Sequence, residues 1–160
     1  MQADAIESAQ ALSLRLTSAK NDLRKPVSLL RTSLNRATDE PQGFIAAWAA
    51  IEIFVNQTFK STYGPRWYQT IESSVHESAK RAIERIDDVM KDKYRVSDKF
   101  LIIASVLDPD FAVADERDFR RLKEIRDNLA HGLDLPEGPL PTESVQKLLL
   151  KFMRLHLLRP

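Results

Sequence analysis

Along the first part of the chain, leucines recur at Leu12, Leu16, Leu23, Leu30 and Leu34. That spacing returns to one face of a 3.6-residue helix and predicts helix over residues 3–36. Pro26 lacks an amide hydrogen and clashes with the preceding turn, so it should split this helix into two pieces. The run RATDEPQG then breaks the pattern. Thr38 or Asp39 can accept the free amides of a new helix, and Pro41 suits its first turn. From Phe44 to Val55 only Glu52 interrupts an apolar run. A helix apolar on nearly every side belongs in the middle of a bundle or at an interface. Gly64 and Pro65 are expected to end it.

A more polar helix is expected around residues 68–92, with Ile71, Val75, Ala79, Ala82, Ile83, Ile86 and Met90 as its inward stripe. Ser97 is expected to cap a short helix, DKFLIIASVL, and DPDFAV reads as a loop. Asp115 should open the helix ERDFRRLKEIRDNLAH, and Thr142 a last amphipathic helix through VQKLLLKFMRLHLL. No internal repeat, low-complexity tract or linker appears. The pattern predicts an all-α bundle of about five to six helices in a single domain over 1–160. Residues 1–37 would be an N-terminal helical extension and 40–158 the core.

Composition narrows the function. The formal net charge is +1, so any polyanion is met at a local site rather than over the whole surface. With no cysteine there are no disulfides, thiol nucleophiles or thiolate metal sites. The N-terminal MQADAIESAQALSLRL has acids before any base and no apolar run, unlike a signal peptide. Phe44–Val55 is too short to span a bilayer. The expectation is a cytoplasmic protein with no membrane partner. No carboxylate or histidine spacing fits a metal site: HESAK begins like a zinc-protease helix but lacks the second histidine.

The chemistry concentrates in EIRDNLAHGLDLPEGP, residues 124–139. Arg126 and His131 alone are weak evidence. With 14 arginines in 160 residues, an arginine at one of three spacings from one of three histidines arises by chance about as often as not. Context adds weight. Phe119, Leu122, Ile125 and Leu129 form one apolar stripe, and Gly132 sits where a left-handed C-cap residue is wanted. His131 then occupies the last turn, where the helix dipole favours a cation. On a straight helix, positions five apart diverge by roughly 140°, so the pair converges only if the helix distorts near Leu129 or the arginine reaches around.

RDNLAHG, together with DFRRLKEIRDNLAHG, DKFLIIASVL and AAWAAIEIFV, resembles the HEPN domain family over residues 40–158. The resemblance implies a small helical bundle that forms a homodimer. Many such proteins are metal-independent endoribonucleases, often toxins or antiviral effectors, in which two copies of the motif meet across the dimer cleft. Carried over, Arg126 and His131 are the catalytic pair, Asp127 fills the polar position and Asn128 supports it. RNA is the implied substrate, an antitoxin or nucleotidyltransferase a possible partner, and no cofactor is implied. In one branch a tyrosine two residues after the histidine is modified by such a partner. Here that residue is Leu133, and this form of regulation is not carried over.

The residue types suit metal-free RNA cleavage. Histidine titrates near neutrality and can accept the 2'-hydroxyl proton or protonate the leaving 5'-oxygen. Arginine's planar fork matches two phosphate oxygens. Other readings stand beside this one. Arg126 can be a structural arginine paired with Glu52, and His131 a capping residue. Arg117, Arg120, Arg121 and Lys123 can steer RNA, or form a solvated face with the acids between them. The Trp48–Phe54 helix reads as core or dimer interface; Trp67 and Tyr68 are open. His76 and His156 have no matching partners. The rival function is a non-catalytic helical dimerisation or interaction module, or one that binds nucleotide or RNA. A helical DNA-binding regulator ranks last, since no basic recognition helix is evident.

Overall fold

A computed structural model describes residues 23–90, 93–133 and 138–158. Among these the chain is all-helical, with no strand. The elements are α1 (Arg24–Ser33), α2 (Glu40–Thr58), a π-helical turn (Phe59–Tyr63), α3 (Gly64–Ser74), α4 (Glu77–Met90), α5 (Val96–Leu107), α6 (Ala112–Ala130) and α7 (Thr142–Leu158). With α2, the π turn and α3 taken as one continuous helix, this makes six helices among the described residues. The helix expected over residues 3–22 lies outside them, as do residues 91–92 and 134–137. Pro26 falls in the first turn of α1, where a missing amide hydrogen is tolerated. No described helix is long and apolar enough to cross a membrane.

The chain divides into two compact units. One holds the described residues up to Phe54 and from Leu122 onward; the other is Val55–Arg121. In the first, Phe44, Ile51 and Phe54 of α2, Leu122 of α6, and Val145, Leu149 and Phe152 of α7 are buried. Each large apolar side chain so buried stabilises by about 1.5–3 kcal/mol. Asp39 caps α2 by accepting the Gln42 amide at 2.8 Å. Gln146 of α7 donates to both the carbonyl and the hydroxyl of Ser33, at 3.0 and 3.1 Å, and so satisfies the end of α1.

In the second unit Phe100 of α5 and Phe119 of α6 stack with centroids 4.4 Å apart. Four local expectations are corrected here. Ser97 is not the cap of α5 but lies buried in its first turn; instead Asp98 reaches back to accept the Arg95 amide at 3.1 Å. α6 opens at Ala112 rather than Asp115, because the turn at Asp108–Phe111 runs straight into it. The polar helix expected over 68–92 is two helices, parted where Val75 turns extended (φ −109°, ψ 157°). None of its expected stripe is fully buried, and Ile86 is 52% exposed. Periodicity told which side was apolar, not whether anything covers it.

The fourth correction concerns Gly64 and Pro65, which do not end the apolar helix. Gly64 has ordinary right-handed angles (φ −61°, ψ −57°), and its amide bonds to the Phe59 carbonyl, five residues back. The wider turn lets the chain continue. Pro65 then falls in the first turn of α3, where its missing donor is not needed. Glycine serves close approach here: a Cβ would lie 2.9 Å from the Phe59 carbonyl oxygen and 3.2 Å from its ring.

Candidate functional site

The last turns of α6 carry the motif. The helix stays regular to Ala130, and the His131 amide still bonds to the Asp127 carbonyl at 3.0 Å. Gly132 then takes the left-handed conformation, φ +63°. Its amide reaches Leu129, and the Leu133 amide reaches the Asn128 carbonyl at 2.9 Å. This double bond pattern closes the helix end and makes His131 its capping residue. A Cβ at Gly132 would meet nothing within 4 Å, so only the backbone angle demands glycine.

Arg126 is fixed from three sides, all within the first unit. Nη1 lies 2.9 Å from Asp127 Oδ1, and Nη2 lies 3.6 Å from Glu52 Oε2. The guanidinium carbon sits 5.3 Å from the centroid of the Trp48 ring, within cation–π range. Trp48 also donates its indole N–H to Glu52 Oε2 at 2.8 Å. The carboxylate of Glu52 is therefore held first by the indole and then offered to the arginine. On its other side Asp127 pairs with Lys123. The four charged side chains, Lys123, Arg126, Glu52 and Asp127, carry two charges of each sign.

Burial sets the strength of this cluster. The Arg126 side chain is 25% exposed and that of Glu52 37% exposed. Water therefore screens the pair, and its contribution belongs near the surface value of about 0–1 kcal/mol. At 3.6 Å the Glu52 contact is an ion pair rather than a close hydrogen bond. Arg126 Nε is buried with no hydrogen-bond partner among the described residues. The guanidinium is thus anchored through its two Nη groups, while Nε is enclosed and unpaired among the described residues.

Within one chain Arg126 is engaged by other partners than His131 among the described residues. The helix shows no distortion near Leu129, and Arg126 folds towards Trp48 and Glu52. His131 is exposed, and no hydrogen bond or ion pair joins its ring to Arg126 among the described residues. Asn128 is half-buried and contributes its carbonyl to the helix end.

Along α6, Arg120 pairs with Glu116, Arg121 lies 3.8 Å from Asp118, and Arg117 is exposed. With Lys123 on Asp127, most of the expected steering cations already have acidic neighbours. His76 bonds Ser78 at 3.0 Å on an exposed turn. His156 packs edge-on against Phe54, centroids 5.9 Å apart, and burial holds its imidazole below the usual histidine range. Among the described residues no group of three or more His, Asp or Glu side chains is placed to hold a metal ion.

Sequence reasoning missed Trp48 as part of this cluster. Its signal was present: Trp48 and Glu52 are four apart on one helix, a spacing that stacks side chains on the same face. Comparison with known proteins gave no match: no family model fits the chain, and no curated protein or solved structure is significantly similar to it.

Proposed function

We propose that this chain is a metal-independent endoribonuclease of the HEPN type, working in the cytoplasm as a homodimer in the manner of a toxin or antiviral effector. The observation that carries the reading is the end of α6. There a pre-oriented, partly exposed arginine and an exposed histidine stand on one rigid, capped helix. Trp48, Glu52 and Asp127 hold the arginine in place. Preorganised cations of this kind stabilise charge as it develops on phosphorus.

In the proposed reaction the ribose 2'-oxygen attacks phosphorus and the bond from phosphorus to the 5'-oxygen breaks. A 2',3'-cyclic phosphate and a free 5'-hydroxyl result. One histidine accepts the 2'-hydroxyl proton and another protonates the leaving oxygen. One chain supplies a single motif histidine, and its arginine is engaged by Trp48, Glu52 and Asp127. A second copy would supply the missing group, so dimerisation is part of the proposed mechanism. RNA is the substrate; Asp127 and Asn128 orient the pair, and Arg117, Arg120, Arg121 and Lys123, carried on the same helix, supply positive charge for the polyanion.

The test is cleavage of total RNA in EDTA by the wild type and by His131→Ala, with end-group determination and light-scattering mass measurement. Cyclic-phosphate ends from the wild-type dimer alone support the reading. A second reading, a non-catalytic interaction or RNA-binding module, draws on the two carboxylates that already neutralise Arg126. Folded, dimeric protein that cleaves nothing would favour it.

A further inference from the structure

The second unit contains a cavity that the catalytic proposal does not use. Its volume is about 550 Å³, inside the range of small-molecule sites. Phe59, Asn56, Tyr68, Asp87, Tyr94 and Lys99 supply its chemistry. One wall is the π-helical turn, a feature that recurs at functional sites because it re-aims side chains out of a regular helix.

The lining divides into an aromatic part and a cationic part. Phe59 and Tyr94, both in the lining, lie with centroids 5.4 Å apart, tilted by 57°. Lys99 Nζ donates to Asn56 Oδ1 at 2.8 Å and lies 5.9 Å from the Phe59 centroid. An ammonium has three donors, and no carboxylate forms an ion pair with Lys99 among the described residues. Charge and donors therefore remain for a ligand. Lys60 adds a second cation at the wall.

The acidic side of the cavity is already occupied. Tyr68 and Tyr94 share a short hydrogen bond between their hydroxyls. Burial first, then Tyr94 and Asp87, push the Tyr68 phenol far above the usual tyrosine range, so it stays neutral and its hydrogen bonding engages Asp87. Among the described lining residues Asp87 is the one carboxylate, and the two lysines outnumber it.

We propose that this cavity binds a small aromatic monoanion of one or two rings, its anionic group on Lys99 and its ring against Phe59 and Tyr94. Two ammoniums set against one carboxylate, with no arginine fork among the described lining residues, leave a net charge that suits one negative charge rather than a polyphosphate. Phe59 gives the site rigidity, because the close approach at Gly64 fixes the π turn around it.

The experiment is isothermal titration of the full chain with 1-naphthoate, its uncharged analogue 1-naphthylmethanol, and 1-naphthyl phosphate. The expected result is saturable one-to-one binding of naphthoate, with the alcohol at least about tenfold weaker, as for loss of a charged hydrogen bond. Lys99→Met keeps the apolar stem and removes the charge; it should erase that preference, while His131→Ala leaves it intact. No saturable binding of naphthoate, or equal binding of the alcohol by the wild type, would overturn the proposal even if Lys99→Met failed to fold. Binding of the phosphate about tenfold tighter than naphthoate would overturn the monoanion assignment.

Discussion

In one unit, Arg126 lies 2.9 Å from Asp127, 3.6 Å from Glu52 and over the ring of Trp48. In the other, the contacts of Lys99 among the described residues are an amide oxygen and a ring face, beside a cavity of about 550 Å³. The arginine is charge-compensated by its own chain and is positioned whether or not anything binds. The lysine is left with unused charge and a space to fill. A compensated, partly exposed cation suits a macromolecular polyanion that displaces a carboxylate as it docks. An uncompensated one within aromatic walls suits a small ligand that brings the missing charge.

The contrast should show most sharply at His131. Alanine there is expected to lower RNA cleavage by about 10²–10⁴-fold, the usual worth of a general acid or base. The melting temperature should stay unchanged, because the ring is exposed. A parallel loss of stability would make His131 a capping residue only. Gly64→Ala should do the reverse. Its methyl meets a carbonyl oxygen at 2.9 Å, so thermal unfolding should register a loss of about 1–3 kcal/mol, with cleavage per folded molecule intact.

Arg126→Ala comes next. Its screened ion pairs and cation–π contact together should cost about 1 kcal/mol in denaturant titrations, while cleavage is abolished. Glu52 keeps its bond from the Trp48 indole, so no buried charge is orphaned. A loss of several kcal/mol would show a purely structural arginine instead.

The smallest effect is expected at His156. Burial lowers its folded-state pKa, so the unfolded chain takes up the proton more readily. The resulting stability is present above the unfolded value of about 6.5 and is lost as pH falls through it towards the lower folded value. His156→Leu should flatten the dependence of the melting temperature on pH between 7 and 5.

The two regions also differ in how much of each can be read from the chain. The motif half of the Arg126 cluster is local: RDNLAHG is contiguous and Gly132 marks the helix end, while its distant half, Glu52, stands out as the lone charge in an apolar run. The Arg126–Glu52 pairing, weighed as the structural alternative to a catalytic role, is present, and the all-α architecture follows the periodicity. What the pattern did not carry was direction, since a side chain as long as arginine points where tertiary partners draw it. The Lys99 cavity is assembled from α2, the π turn, α3, α4 and α5, with residues from Asn56 to Lys99. No spacing announces it. Gly64–Pro65 reads as a stop signal because both residues disfavour a continuing α-helix, and one wider turn is enough to accommodate them.

That wider turn is, in genetic terms, an insertion carried inside a helix. A bond from residue i to i+5 encloses one residue more than the α-helical bond, and the Phe59–Gly64 bond does so here. Deleting a single codon between Lys60 and Thr62 would let α2 and α3 run on as one ordinary helix. Because the wider turn holds the extra residue within itself, closing it to an α turn would leave α3 facing nearly as it does now. Tyr68 would keep its side towards Tyr94, a partner 26 positions further along, while the bulge that walls the cavity at Phe59 and Lys60 would be gone. The cavity is thus written into the length of one turn as much as into the identity of its lining.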